Sequence, residues 1–170
     1  MTVKEFLILI DVASDPDNVL RQIAKLPKPV SFGKHIIPDT LNDITMGQLI
    51  ELQSITSIVD LILSPEHDIN CYSVEDLLGF SMWVKGEVER INKLFASTNV
   101  KPTKEEQKAG IEDLSFGIFG LIDYYAIRMG ISDHEQVEKI PWVRVYKCLD
   151  MDARKAQYER RLREIYQKKE

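Results

Sequence analysis

Leu41-Asn42-Asp43-Ile44-Thr45-Met46-Gly47 recurs as Ile111-Glu112-Asp113-Leu114-Ser115-Phe116-Gly117, 70 positions further on. Asp43 aligns with Asp113, Thr45 with Ser115 and Gly47 with Gly117, and apolar residues stand in the same places between them. In each copy a hydroxyl side chain that can cap a helix precedes an apolar run at helical spacing, and that combination marks a helix start. The repeat therefore predicts an all-α chain in which two helices begin alike, with Thr45 and Ser115 as their N-caps.

Downstream of the first copy, Thr45 and Gln48 fit a capping box. The helix they open would turn Leu49, Ile50, Leu52, Ile55, Ile58, Val59 and Ile62 inward, a face wide enough for a central helix. Residues 64–72 read as a loop. Ser73-Val74-Glu75-Asp76 then starts the longest helix, about 74–95, whose Leu77, Ser81, Val84, Val88, Ile91 and Phe95 follow alternating three- and four-residue steps. Leu77, Val84, Val88 and Ile91 are its expected buried side. Residues 97–110 form a polar link with one helical turn at Thr103-Lys104-Glu105-Glu106.

The second copy opens a helix that should end at Gly130, a residue suited to the left-handed position after a C-terminus. Ser132-Asp133-His134-Glu135 reads as another capping box, and Pro141 as a break or restart. Trp142, Val143, Val145, Tyr146 and Leu149 pack next. Asp150 or Asp152 then begins a terminal helix over about 151–168, with Tyr158, Leu162, Ile165 and Tyr166 on one side.

Upstream, Thr2 and Glu5 allow a helix over about 3–12, although Phe6 to Ile10 reads equally well as a buried strand. Ser14-Asp15-Pro16-Asp17 announces a short helix to about Leu26, ended by Pro27 and Pro29. Residues 27–44 are loop with one short extended piece near 34–37. The sum is about seven helices in a single domain, 1–170, whose parts 41–96 and 111–168 would be similar halves.

The chain has 170 residues, 44% hydrophobic and 29% charged, the composition of an ordinary globular protein. Its formal net charge of −5 is unevenly spread: residues 151–170 carry seven bases against four acids, which leaves −8 for the first 150. An acidic body with a basic tail points to an acidic partner, a second copy included. Two cysteines, Cys71 and Cys148, are too few for a disulfide scaffold and suit a reducing compartment. No apolar run reaches the roughly 20 residues of a membrane span.

No catalytic constellation stands out in the sequence. Glu66-His67-Asp68 with Cys71 has ligand types without ligand spacing, and a loop gives no reason for His67 to align with Cys71 as a nucleophile. Gly-rich phosphate loops are absent, and Glu105-Glu106 sits in the polar link. The sequence is therefore read as that of a non-enzyme with no cofactor and no metal. On the terminal helix, Tyr158, Arg161, Leu162, Ile165 and Tyr166 are the expected partner-binding residues. Nucleic acid is the runner-up partner, because seven bases and two tyrosines could neutralise phosphates and stack on bases. The low pI of 5.3 and the acids on the same helix oppose that reading.

The stretch 41–52, Leu-Asn-Asp-Ile-Thr-Met-Gly-Gln-Leu-Ile-Glu-Leu, preceded by His35-Ile36-Ile37-Pro38, resembles small helical proteins of tailed bacteriophages, the tail assembly chaperones and their virion-associated relatives. Their last helix is likewise aromatic and basic. The resemblance covers about a third of the chain, and residues 100–150 do not share it. It implies a virion structural or assembly protein that acts by docking to itself or to larger virion proteins. Such a protein works in the host cytoplasm, whether or not it stays in the particle. No active residues carry over.

Overall fold

A computed structural model of the chain describes residues 14–23, 25–32, 35–54, 73–114 and 116–168. The expected helix over 3–12, the continuation of the first-copy helix beyond 54, the loop with His67 and Cys71, and Ser115 lie outside these residues. The protein is all-α. Among the described residues it has seven α-helices, one 3-10 turn and one ribbon with two residues per strand. They fall into two compact units, one from residues 1–41 and 52–89, the other from 42–51 and 90–170.

In the first unit, α1 (Pro16–Ile23) starts as its sequence predicts. Pro16 needs no amide partner in the first turn, and the Asn18 N–H donates to Asp15 Oδ1 at 2.9 Å. The helix stops at Ile23, short of the expected Leu26. The single extended piece expected near 34–37 is half of a ribbon. β1 (Ser31–Phe32) pairs antiparallel with β2 (His35–Ile36), and the Ile37 N–H donates to the Val30 carbonyl at 3.1 Å.

Helix α3 (Val74–Ser97) follows α2 (Met46–Ser54) in the chain. Ser73 caps it, accepting from the Asp76 N–H at 3.0 Å. Val74, Leu77, Val84 and Ile91 are buried. Val88, expected among them, is only half-buried, although its place around the helix lies between those of Val84 and Val74. A Cβ on Gly79 would lie 2.5 Å from the Pro27 carbonyl oxygen, so glycine there lets residues 27–29 lie against the helix. Lys28 sits 5.3 Å from the Trp83 ring centroid and binds Asp39 at 3.1 Å.

The second unit is built around Met46, Leu49, Ile91, Tyr125, Val137, Trp142 and Val145, all buried. Thr45 forms the expected capping box: it accepts from the Gln48 N–H at 3.2 Å, and its own N–H donates to Gln48 Oε1 at 2.9 Å. The backbone on either side is tied to residues 140–142. The Met46 N–H donates to the Ile140 carbonyl at 2.8 Å and the Trp142 N–H to the Ile44 carbonyl at 3.3 Å. Phe95, Trp142 and Tyr146 form an aromatic trio with centroids 5.9 to 6.2 Å apart.

Four shorter elements complete it: α4 (Lys104–Lys108), a 3-10 turn (Ile111–Leu114), α5 (Gly117–Met129) and α6 (His134–Glu138). The cap of α6 is Asp133, one residue later than the Ser132 box predicts; its carboxylate accepts from the Glu135 N–H at 2.9 Å. The last helix differs most from expectation. α7 (Trp142–Gln167) is one 26-residue helix that begins directly after Pro141. Asp150 and Asp152 do not start a new helix: the helix runs through both, with Asp150 paired to Arg154 one turn on and Asp152 bonded to Tyr124 and Arg128. Pro141 is well suited to the edge of a helix start, and no breaker follows it.

Candidate docking surface

Trp142, Val145 and Ala153 are buried along one side of α7. The same side is pinned by polar contacts. Arg160 Nη2 donates to both Glu106 carboxylate oxygens at 2.9 Å, and its Nη1 donates to the Lys101 carbonyl. Glu106 in turn closes a capping box with Thr103, its Oε2 accepting from the Thr103 N–H at 2.7 Å. That backbone hydrogen bond is the main reason the Glu106 carboxyl is held below its ordinary pKa; the Arg160 charge adds to it.

Nearer the middle of α7, the Tyr124 hydroxyl donates to Asp152, and Arg128 bonds both. Burial first, then the Asp152 carboxylate, pushes the Tyr124 hydroxyl up to about 12. The Asp152 carboxyl is shifted down, chiefly by accepting from Tyr124 and then from Arg128. A phenol with so high a pKa is a poor base near neutral pH. The trio reads as a clasp between α5 and α7.

A helix repeats its direction every seven residues to within about 20°. Met151, Tyr158 and Ile165 are spaced by seven and point away from this pinned side, with relative exposures of 62%, 59% and 52%. Tyr166 is exposed beside them and Leu162 is half-buried. Arg161 is exposed, its Nε donating to the Gln157 carbonyl at 3.3 Å. The five residues expected to bind a partner thus lie on one strip of one helix, and the structure adds Met151 to it. Met151 escapes the sequence reading because that reading starts the helix at its doorstep; read from Trp142, the 151-158-165 spacing stands out.

Thr45 caps α2, as described. In the second copy the N-cap position belongs to Phe116, which makes no side-chain cap bond, and the helix begins at Gly117 with φ +56°. Ser115, the expected cap, precedes that position by one residue and lies outside the described residues. Around it, Leu114, Phe116 and Phe119 each leave more than three-fifths of their surface exposed. The sequence reading does not find this second apolar surface, because the richest apolar run of the chain looks like core.

Among the described residues no group of three or more His, Cys, Asp or Glu side chains is placed to hold a metal ion. Among them, too, no helix is long and apolar enough to cross a membrane. Comparison with protein-family models, with curated proteins and with solved structures finds no match.

Proposed function

We propose that this chain is a non-catalytic interaction protein, a structural or assembly component of a tailed-phage particle that docks through the outer strip of α7. The observation that carries the docking is the exposed row Met151, Tyr158 and Ile165. Large apolar side chains held in register on a fixed helix, with Arg154, Lys155 and Arg161 beside them, suit a groove on an acidic protein surface. The phage assignment rests on the resemblance carried by residues 41–52, and the partner on this reading is a larger virion protein or a second copy.

Nucleic acid receives less support. Arg154 pairs with Asp150 at 3.0 Å, Lys155 with Glu159 at 4.0 Å, Arg160 with Glu106, and Arg163 with Glu159 at 3.9 Å. Bases already facing carboxylates release less free energy on meeting phosphate.

The test is the Tyr158→Asp/Ile165→Asp variant, which alters exposed side chains and leaves the Arg160 and Asp152 contacts in place. It should keep the wild-type circular dichroism and melting temperature while losing association with itself or with co-expressed virion proteins. Association equal to wild type sinks the docking role of α7. Retained association with lost retention on immobilised DNA favours the nucleic-acid reading. Gene order offers an independent check: portal, capsid or tail genes alongside support the phage assignment, and their absence removes it.

A further inference from the structure

We infer that the apolar surface over residues 114–119 is the receptor for the α7 strip of a second copy, so that the protein associates head to tail. The inference rests on the docking reading above and supplies its partner. Two observations carry it.

The first is that the second unit exposes two separate apolar surfaces. One is the strip on α7. The other comprises Leu114, Phe116, Ile118 and Phe119, at the end of the 3-10 turn and the first turn of α5. Clustered exposed side chains of this size mark interaction surfaces, whereas single ones do not. On α5 only the middle is packed, through Ile122, Tyr125 and Ala126. The start of α5 is largely exposed, with Phe119 edge-on to the His134 ring at 5.2 Å.

The second is charge. Residues 109–138, which contain the receptor surface, hold six acids against one base, a net −5. Residues 139–168, which contain α7, hold nine bases against four acids, a net +5. Asp113 and Glu135 are exposed on the acidic side; on the basic side Arg161 is exposed, as are Arg154 and Lys155, which also face Asp150 and Glu159 of their own helix. Like surfaces would repel. A strip meeting a second strip brings base to base, and a receptor meeting a receptor brings acid to acid. Only strip against receptor joins opposite signs with apolar residues at the centre, so the interface is heterologous. Such an interface leaves one free surface at each end of any pair and propagates, closing into a ring or continuing as a filament.

The test uses two variants of the full chain. Tyr158→Asp/Ile165→Asp removes the strip and keeps the receptor; Leu114→Lys/Phe116→Lys removes the receptor and keeps the strip. Wild type should grow past a dimer as concentration rises in light scattering at low salt. Each variant alone should be a monomer of 19.6 kDa. Mixed one to one, they should form a dimer of about twice that mass and nothing larger, since each contributes one intact surface. Asp113→Lys/Glu135→Lys, which leaves the apolar residues untouched, serves as the receptor variant if the first fails to match the wild-type melting temperature. It should show the same loss on its own and the same rescue in the mixture.

A receptor variant that dimerises alone means strips pair with strips; the inference falls, while docking by α7 stands. A wild type that remains monomeric at every concentration overturns self-association and leaves α7 to a different acidic partner. Growth that the strip variant retains overturns both.

Discussion

The two copies of the repeated phrase share their residue pattern and differ in almost everything else. In the first, Thr45 caps α2 through a full box with Gln48. Leu41 and Met46 are buried, and the backbone of Ile44 and Met46 is bonded to residues 140 and 142. In the second, the equivalents of Leu41 and Met46 are Ile111 and Phe116, both exposed. Residues 111–114 coil into a 3-10 turn behind Gly110 at φ +80°. The helix starts one residue later and its N-cap makes no side-chain bond. A local phrase thus announces that a helix begins nearby. The exact start, and whether its apolar residues are core or surface, depends on what the rest of the chain brings to it. Residues 140–142 come to the first copy, and the described chain brings no equivalent to the second.

The widest gap between the copies should appear at Met46 and Phe116. Met46→Ala leaves a cavity in a packed core and should cost about 2–5 kcal/mol. Phe116→Ala removes a larger side chain from an exposed site and should change stability by about 0.5 kcal/mol or less. Denaturant melts of the two variants decide it. Equal losses would mean that the second copy is core after all.

The legibility of the sequence follows the same line. Signals that act within four residues were readable: the Thr45–Gln48 and Thr103–Glu106 boxes, Pro16 after Asp15, Ser73 before α3, and Gly130 closing α5 in the left-handed region. Signals that depend on a distant partner were not. Nothing near residue 45 announces Ile140, and nothing near Asp152 announces Tyr124 and Arg128. Without those partners, Asp152 reads as a helix start when it is the middle of one. The exposed strip on α7 was legible because an amphipathic helix shows its free side in its own periodicity. The surface over 114–119 was not, because an apolar residue looks the same in sequence whether it is packed or bare.

The shared glycine sharpens the comparison. Gly117 has φ +56° with open space where a Cβ would go, so its requirement is conformational. Gly117→Ala should cost about 1–2 kcal/mol for left-handed strain, and Gly117→Asn should recover part of it, since Asn tolerates that region. At Gly47 a Cβ would meet Glu138 Cβ and its carbonyl oxygen at 3.3 Å, so the requirement is space. Asn is larger than Ala and should do worse there. Thermal melts of the four variants should therefore rank Ala and Asn in opposite orders at the two sites; the same order at both would erase the distinction.

The caps should separate by a smaller amount. Thr45→Ala removes a bond that α2 uses and should cost about 0.5–2 kcal/mol. The N-cap of α5 is Phe116, so a serine belongs there more than at 115. Phe116→Ser should stabilise by about 0.5–1 kcal/mol, a gain that a cap residue in register can give. A Phe116→Ser protein that melts below wild type would mean that the second helix start already has its donors satisfied.

The smallest effect concerns what kind of box the first copy uses. Its third residue is Gln48, which does not titrate; the box on α4 uses Glu106, which does. The Glu106 carboxyl is held below its ordinary pKa, first by the Thr103 N–H and then by Arg160. A carboxyl depressed in the folded state contributes stability above its unfolded pKa of about 4.3, and that contribution fades as pH falls through the lower folded value. The α4 box should therefore loosen in acid while the Thr45–Gln48 box does not. Glu106→Gln gives α4 the chemistry of the first copy: the box can still form, and the charge on Arg160 loses its partner. At neutral pH the variant should be slightly less stable than wild type. Between about pH 5 and pH 3 the two melting curves should converge, because wild type gives up there what the variant already lacks. Other carboxylates titrate in both proteins alike, so the difference between the curves isolates Glu106. Parallel curves across that range would show that the Glu106 charge does nothing a neutral amide cannot do, and that the two boxes, unlike the two copies, are equivalent.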